Sequence, residues 1–282
     1  MEKKIILSPT RARVWVRCKK QNYWRYVCHL TKVRKTVPLA LGSVVGEALA
    51  IYYSSPSRDQ PVLNTSLETV FAKVGPEFLG PEPDGERVGE WNKVVGVSKT
   101  LLSNYHQWAS TKDTFSKVLS VERPYTIKLS PRVSLLAIPD TVVLEGDFPM
   151  VLEHKVRSRY RPGDFGIDYQ SVACALVSGS IGTLYNILEY SRPKFHREAI
   201  VRTQPELDFF RGLFISMGED ILSTSPEKMY PSPMKRCSCD YWELCRAEFG
   251  GLDIEDIIAE LYQERARTSP TPPEPESVEE ES

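Results

Sequence analysis

The sequence has no long uninterrupted apolar run. The stretch MEKKIILSP at its start is too short for a signal peptide, and no later run is long enough to span a bilayer. There is also no G-x-x-x-x-G-K-[ST] loop, and no Ser-His-Asp or Cys-His set has a convincing spacing. We therefore expect a cytoplasmic protein that does not act on a membrane and has no ATP motor of its own.

The chain has almost no net charge, but its acids are concentrated at one end. The net charge of the 282 residues is −1, and the last fifteen residues hold five Glu and no Lys or Arg. Removing those five negative charges leaves +4 on the rest, which is compatible with a polyanionic partner. The Pro/Glu composition predicts a disordered acidic tail over 266–282, after a single domain over 1–265.

Apolar periodicity predicts helices interleaved with strands. Helical patterns begin at Ser8-Pro9 and recur in GSVVGEALAIYY, 94–109, GIDYQSVACALVSG, QPELDFFRGLFISMGEDIL and 252–264. Strand patterns occur in SKVLSVERPYTIKL, VSLLAIPDTVVLE, PMVLEHKVR, GTLYNILEY and KFHREAIVR. Residues 54–92, rich in Pro, Gly and acids, are expected to be mostly loop. The pattern predicts an α/β fold with a mixed central β-sheet flanked by helices.

Two acids, Asp140 and Glu153, stand in a stretch whose pattern predicts a β-hairpin. The runs TVVL and PMVL are joined by EGDF, which is typical of a tight turn. If the turn centres between Gly146 and Asp147, cross-strand partners have numbers that sum to 293, and the two acids lie opposite each other. Like charges in that position destabilise a sheet unless something positive lies between them. Mg²⁺ or Mn²⁺ would supply that charge, since oxygen ligands favour these ions over Zn²⁺.

Lys155 follows Glu153 by two residues, so on a strand both side chains point to the same face. Two acids, a metal and an ammonium suit phosphodiester hydrolysis, with the lysine orienting water or stabilising negative charge. The alternative is a surface hairpin whose acids face solvent and pair with Lys155. Arg157, Arg159 and Arg161 continue the alternation, either as a track for phosphates or as a solvated loop.

These residues resemble the PD-(D/E)XK nuclease superfamily, in particular its RecB-like branch of CRISPR-associated, phage and AddB-type exonucleases. The segments IPDTVV and VLEHK are similar to the family's two catalytic strands. The resemblance implies a restriction-endonuclease-like core. It also implies a set of metal ligands: Asp140, Glu153 and the main-chain carbonyl of His154.

The same resemblance gives roles to two further residues. Lys155 stands at the position of the catalytic lysine, and Gln170, in DYQSVACA, matches the Gln of the following helix. The family carries a Tyr separated from that Gln by three residues, whereas this chain has Cys174 at that position. Tyr169 is the alternative to that missing Tyr.

A second departure from the family pattern lies upstream. RecB-like nucleases carry G-x-x-x-H on a helix, with the His as a metal ligand, and the similar stretch here, GSVVGEALA, places Gly46 at the His position. Glu47 is the first candidate to replace that ligand, and an ordinary exposed helix residue is the other interpretation. Glu122, in SVERPY, is a weaker candidate.

The six cysteines are more typical of metal ligands or core residues than of disulfides in a reducing compartment. Many RecB-like nucleases hold a 4Fe-4S cluster, and the resemblance implies a C-terminal cysteine clasp over 234–250 with the ligands Cys18, Cys237, Cys239 and Cys245. The spacing here is C-x-C-x5-C, whereas the family has C-x-x-C-x5-C. The alternatives are Zn²⁺ as the occupant, Cys28 as the first ligand, or buried cysteines without a metal. Cys174 is expected in the core.

The resemblance implies a Mg²⁺- or Mn²⁺-dependent DNA nuclease, with an exonuclease favoured, that acts in recombination, repair, replication or CRISPR adaptation. A helicase, recombinase or integrase would be a separate partner. Two alternatives stay open at this point. One is a DNA-binding scaffold that kept the nuclease fold and lost activity, and the other is a zinc-clasped interaction module.

Overall fold

The computed structural model describes residues 3–232 and 239–265, and within them the main sheet has five strands in the order β3-β6-β7-β8-β9. Its strands are β3 (Lys117–Val121), β6 (Thr141–Glu145), β7 (Phe148–Arg157), β8 (Gly182–Glu189) and β9 (Lys194–Val201). All neighbours are antiparallel except β7 and β8, which are parallel and are joined by helix α7 (Tyr169–Ser178). The predicted mixed α/β architecture is confirmed. The predicted tail over 266–282 lies outside the described residues.

Two smaller sheets flank the main one. One has the strand order β1-β5-β4, and its strands are β1 (Ile5–Leu7), β4 (Tyr125–Lys128) and β5 (Val133–Ala137). The other pairs β2 (Leu30–Lys32) with β10 (Tyr262–Glu264) and so joins the N-terminal region to the C-terminal end of the described chain. The helix predicted over 252–264 is α10 (Glu255–Leu261), because its last residues form β10. The C-terminal region also contains α9 (Trp242–Phe249).

One face of the main sheet is covered by a helical layer. Its members are α3 (Val37–Ser54), α4 (Gln60–Leu79), α5 (Gly85–Ser103) and α6 (Tyr105–Lys112). Apolar side chains of α3 pack with Met150 and Leu152 of β7 in the largest core cluster. By length and composition alone α3 could cross a membrane, contrary to the expectation that no run is long enough. The core helix of a soluble protein passes the same test, and 44% of α3 is buried inside the protein.

The expectation that 54–92 is mostly loop is wrong. Most of it belongs to α4 and α5, and the polar residues that suggested a loop cap these helices. The side chain of Asp59 accepts from the N–H of Val62, and that of Asp84 accepts from the N–H of Arg87. Each acid thus satisfies an N–H that has no partner inside its helix.

The opposite face of the sheet is covered by three helices, α1 (Pro9–Arg17), α7 and α8 (Gln204–Ser223). Ser8 caps α1 as predicted, since its hydroxyl accepts from the N–H of Arg11. Helix α1 ends at Arg17, because Cys18 leaves the helical conformation and caps a short helix, α2 (Lys19–Asn22). Val151 of β7 packs on this side, whereas its neighbours Met150 and Leu152 pack on the other. The alternation of β7 therefore directs odd-numbered residues toward α7.

Candidate active site

The hairpin that carries the two acids has the register that the sequence predicts. Thr141 pairs with Leu152 and Glu145 pairs with Phe148, so partner numbers sum to 293. The turn is closed by Gly146, whose φ of +59° suits a residue without a side chain. Asp140 directly precedes β6, and continuing the same register places it opposite Glu153.

Glu153 is buried, and one of its oxygens has two donors. The Lys155 ammonium lies 2.7 Å from Oε1, and the Gln170 side-chain amide donates to the same oxygen at 2.7 Å. Lys155 also donates to the Gln170 carbonyl oxygen at 3.1 Å. The structure therefore brings together three of the residues proposed for the site. The other oxygen, Oε2, is buried and has no hydrogen-bond partner among the described residues.

Helix α7 holds Gln170 in place. Its first turn is capped by Asp168, whose Oδ1 accepts from the N–H of Gln170 at 3.2 Å. The phenol of Tyr185, on β8, lies 3.4 Å from the second Asp168 oxygen. Cys174, which follows Gln170 by four residues, is fully buried and belongs to the core, as predicted. It brings no polar group comparable to the phenol of the family's Tyr.

Asp140 is held from the neighbouring strand. Its Oδ2 accepts from the main-chain N–H of His154 at 2.8 Å, and the His154 ring nitrogen Nδ1 lies 3.6 Å from the same oxygen. The side chain of Asp140 is 25% exposed, whereas that of Glu153 is 1% exposed. The site thus opens to solvent at Asp140 and is closed at Glu153.

The pKa values of this cluster reflect two acids that share one site. Burial and the nearby charge of Asp140 raise the pKa of Glu153 to about 8. Burial also opposes ionisation of Asp140, but hydrogen bonds and positive charge from His154 and Lys155 outweigh it, so the pKa of Asp140 is lowered. Burial opposes the charged form of Lys155, and the Glu153 carboxylate outweighs that effect and raises the pKa of Lys155.

The donor set fits a divalent cation of the Mg²⁺ or Mn²⁺ type. Carboxylate oxygens are the ligands these ions prefer, and the unpartnered Oε2 of Glu153 is an acceptor without a donor. Asp140 and Glu153 form only a pair, because within 3–232 and 239–265 no three His, Cys, Asp or Glu side chains are gathered at a metal-binding geometry.

The two upstream candidates, Gly46 and Glu47, lie on α3. The Glu47 carboxylate lies 2.6 Å from the Lys73 ammonium of α4. A Cβ atom built on Gly46 meets nothing within 4 Å in the described part of the chain. There is therefore room for a side chain at Gly46, while Glu47 already has a cationic partner.

The three arginines after Lys155 do not share a strand face. Strand β7 ends at Arg157, so Arg159 and Arg161 lie in the loop that leads to α7. All three are exposed. The loop interpretation of the sequence is the one that the structure supports.

The sequence patterns do not predict the buried polar network that lies beside His154. The Tyr53 hydroxyl donates to Asp113 at 2.9 Å and lies 2.8 Å from the Tyr105 hydroxyl, and the His154 ring centroid lies 5.2 Å from that of Tyr53. Arg197 completes the network, since it lies 2.6 Å from Asp113.

Arg197 of β9 and Arg202, which directly follows that strand, are not surface charges. The Arg197 side chain is 13% exposed and also donates to Asn186 at 2.8 Å, and that of Arg202 is 5% exposed and donates to the Gly166 carbonyl at 2.8 Å. The alternation of β9 alone could not reveal this, because the partners come from distant segments.

The predicted cysteine clasp is only partly within the described residues, since Cys237 lies outside them. The Cys18 sulfur accepts from the N–H groups of Gln21 and Ser232, both at 3.4 Å. Cys239 and Cys245 belong with Cys28 to an apolar cluster around Trp24, Tyr241 and Tyr262. Two of the proposed ligands therefore share a cluster with Cys28, the alternative first ligand.

This chain is similar to known proteins both in its sequence pattern and in its fold. A family model for the PD-(D/E)XK nuclease superfamily matches residues 6–246. The solved structure of the protein named Putative exonuclease, from Eubacterium rectale, has a TM-score of 0.52 at 11% identity, covering 83% of this chain and 86% of that one. The structure of SSO0001 has a TM-score of only 0.29 at 11% identity, covering 74% of this chain and 85% of that one. No curated protein matches. At 11% identity, the similarity to the Eubacterium rectale structure supports a shared fold and says nothing about function.

Proposed function

The chain belongs to the PD-(D/E)XK nuclease superfamily, and from that premise we propose that it is a Mg²⁺- or Mn²⁺-dependent deoxyribonuclease that degrades DNA from its ends. The observation that carries the proposal is the arrangement at Glu153. One of its oxygens is shared by Lys155 and Gln170, and the other, without a partner among the described residues, is left for a cation beside Asp140.

Asp140 and Glu153 would hold the metal, with the His154 carbonyl as the third proposed ligand. When bound, the cation would lower the pKa of water and neutralise charge on the scissile phosphate. The main-chain N–H of His154 fixes the Asp140 carboxylate, so the open side of the site has a rigid acid. The closed side is fixed by Lys155 and Gln170.

Lys155 would stabilise the negative charge that develops on the phosphate. Its ammonium is mostly withdrawn from water, with a side chain 15% exposed, and a preorganised charge in such surroundings is more effective than one in bulk solvent. Gln170 would act as a positioning residue, because it bonds both Glu153 and Lys155.

The DNA backbone would approach over the loop that follows β7. Arg157, Arg159 and Arg161 are exposed there and can neutralise phosphates without reading sequence. A helicase, recombinase or integrase would be supplied by another protein. Roles in recombination, repair, replication or CRISPR adaptation are compatible with this chemistry.

A structural 4Fe-4S cluster, with Zn²⁺ as the alternative, belongs to the same proposal. Its support is that the Cys18 sulfur contacts Ser232, which directly precedes the segment that holds Cys237. Anaerobic purification followed by absorption spectroscopy and metal analysis tests it. Iron and sulfide in equal amounts support the cluster, one zinc per chain supports Zn²⁺, and neither metal argues against both.

The nuclease proposal is tested with labelled linear single- and double-stranded DNA and with closed circular DNA, in Mg²⁺ or Mn²⁺. We expect cleavage of linear DNA that requires the metal and is lost in Asp140→Asn. Asp147→Asn, an exposed acid of the hairpin turn, is the matched control and should retain activity. Cleavage of closed circles would show endonuclease action instead.

A DNA-binding scaffold without turnover is the second candidate. It is favoured by Gly46, which supplies no ligand, and by the burial of Cys174 in the core. A folded protein that binds DNA but does not cleave it with either metal would establish this alternative. The family match lends no support to a zinc-clasped module unrelated to nucleases.

A further inference from the structure

Three arginines lie close to the ring of Tyr26. The guanidinium carbons of Arg11, Arg265 and Arg25 are 5.0, 5.1 and 5.8 Å from the centroid of that ring. Arg11 belongs to α1, and Arg265 follows β10. The other two residues lie in a π-helical turn, Tyr23–Val27, a rare form that is frequent at functional sites. We call the three arginines and Tyr26 the Tyr26 cluster.

The positive charges of the Tyr26 cluster are not balanced by acids. None of its three arginines has a carboxylate partner in the part of the chain that the structure describes. The lysines of the same region differ, since Lys19, Lys20 and Lys32 each form an ion pair with an acid. Arg11 donates to a neutral acceptor, the side-chain oxygen of Asn22, at 3.4 Å. Withdrawal from water disfavours the charged form of Arg11 and lowers its pKa.

Two polar groups of the cluster are buried and can donate hydrogen bonds. They are the Nε–H of Arg25 and the hydroxyl of Tyr26, and neither has a hydrogen-bond partner among the described residues. A buried donor without an acceptor costs free energy, so such groups are uncommon unless they serve a ligand. Because three positive charges lie beside these two donors, the ligand that suits the cluster is an anion that accepts hydrogen bonds.

Phosphate is the anion that this set of side chains fits best. The planar guanidinium group presents N–H donors in a fork that matches two phosphate oxygens, and tyrosine hydroxyls also contact phosphates in nucleic-acid complexes. The cluster is connected to the candidate active site through α1. Ala12 and Trp15 of α1 pack in the same core cluster as Val172 of α7. Helix α7 also carries Gln170.

We propose that the Tyr26 cluster binds a backbone phosphate of DNA at a point outside the candidate active site. The inference rests on the proposed function and adds a second, fixed point of contact to it. Arg157, Arg159 and Arg161 are exposed and solvated, whereas the three arginines of the cluster are partly withdrawn from water. A phosphate held there would keep its position, and would thereby orient the strand that reaches Glu153.

The test is the affinity for labelled linear DNA, measured by fluorescence anisotropy at several salt concentrations. Divalent cations are removed with a chelator, so that binding is measured without cleavage. We expect Arg11→Gln and Arg25→Gln each to weaken binding about 10-fold, as for loss of a charge-assisted hydrogen bond. Each should also lower the slope of log affinity against log salt by about 1.

Arg192→Gln is the matched control, because it removes the same charge from the exposed turn between β8 and β9. Its affinity should change less than about twofold. A second measurement uses inorganic phosphate as the probe. Phosphate should raise the melting temperature of wild type and of Arg192→Gln, relative to chloride at the same ionic strength, more than that of Arg25→Gln. The melts also check that every variant is folded.

The outcomes separate this inference from the proposed function. If wild type binds DNA and the cluster variants bind it equally well, the inference is wrong and the proposed function stands. Weaker binding with an unchanged salt slope would also overturn it, because the arginines would then act only on the structure. If phosphate protects wild type selectively but DNA affinity does not change in the variants, the ligand is a free phosphate compound and the assignment to DNA is wrong. A folded wild type that binds no DNA would refute the proposed function itself.

Discussion

The Lys155 ammonium lies 2.7 Å from one carboxylate oxygen of Glu153, and both side chains leave the same face of β7. This is a buried ion pair, since the two side chains are 15% and 1% exposed. Such a pair is weak evidence for stability, because the cost of desolvation offsets much of its attraction. Under the proposed function, we interpret the Lys155 ammonium as a charge prepared for a phosphate.

Lys155→Met tests that interpretation. The variant keeps most of the side-chain length and removes the ammonium, so we expect nuclease activity to fall by about 10²–10³-fold, as for loss of a preorganised electrostatic group. The measurement is kcat/KM on linear DNA. Lys128→Met, at an exposed lysine of β4, should be unaffected. Activity retained in Lys155→Met would remove the lysine from the mechanism.

Gln170→Leu should weaken metal affinity or activity by about 10–100-fold, the range for residues that orient a ligand. The physical reason is that Gln170 bonds both Glu153 and Lys155 and so fixes their relative positions. Mn²⁺ affinity and cleavage rate are measured together. Gln107→Leu, at an exposed position of α6, is the control. A Gln170 variant that melts like wild type and cleaves normally would contradict the positioning role.

Arg197→Met should destabilise the protein strongly. The Asp113 side chain is 8% exposed, and losing Arg197 would leave its charge buried without its ion-pair partner, at a cost of about 3–5 kcal/mol. In a chain of this size each kcal/mol lowers the melting temperature by about 2–4 °C. The double variant Arg197→Met with Asp113→Asn should recover part of the loss. Arg192→Met, at the exposed Arg192, should melt within about 2 °C of wild type.

Two helical glycines should respond in opposite ways to alanine. Gly46→Ala is expected to stabilise the protein by about 0.5–1 kcal/mol, because a Cβ there meets no described atom within 4 Å and alanine is the better helix former. Gly218→Ala should destabilise it, because that Cβ would lie 2.6 Å from a Val133 methyl. Denaturant unfolding measures both. If Gly46→Ala destabilises the protein, the prediction is wrong and the space beside α3 does not accommodate a methyl group.

The hairpin could be predicted from the sequence to the residue. Its turn contains Gly146 at a positive φ, and each strand has a local pattern, so the register needs no distant information. The contact of Lys155 with Glu153 follows from the alternation of β7, because both side chains leave the same face. Gln170 was expected from the family resemblance, and no local pattern identified its contact with Glu153.

The two helices over 54–92 could not be recognised by composition. Pro61 occupies the first turn of α4, where its missing N–H costs nothing, and Gly80 ends the helix with a φ of +76°. Because the same residue types are common in loops, their number alone predicted a loop where the chain forms helices. Their positions relative to Asp59 and Asp84 were the informative signal.

Local sequence patterns do not predict polar contacts between residues that are far apart in the chain. Asp113 and Arg197 are 84 residues apart in the chain, and nothing in either segment identifies the other. The pairing of β3 with β6 also shifts by one residue between Val118 and Ser120, a change too small to be predicted from an apolar run. Such features depend on the assembled sheet.

The strands of the main sheet all lie within 117–201, whereas β2 comes from the N-terminal region and β10 from the C-terminal end of the described chain. Short loops close with less entropic cost than long ones, and local topology favours fast folding. The β6–β7 hairpin that carries the candidate site should therefore assemble early in folding, and β2 and β10 should pair last. In pulse-labelled hydrogen exchange, the amides of β6 and β7 should be protected before those of β10. Truncations near β10 should therefore slow the pairing of β2 with β10 more than they slow formation of the β6–β7 hairpin.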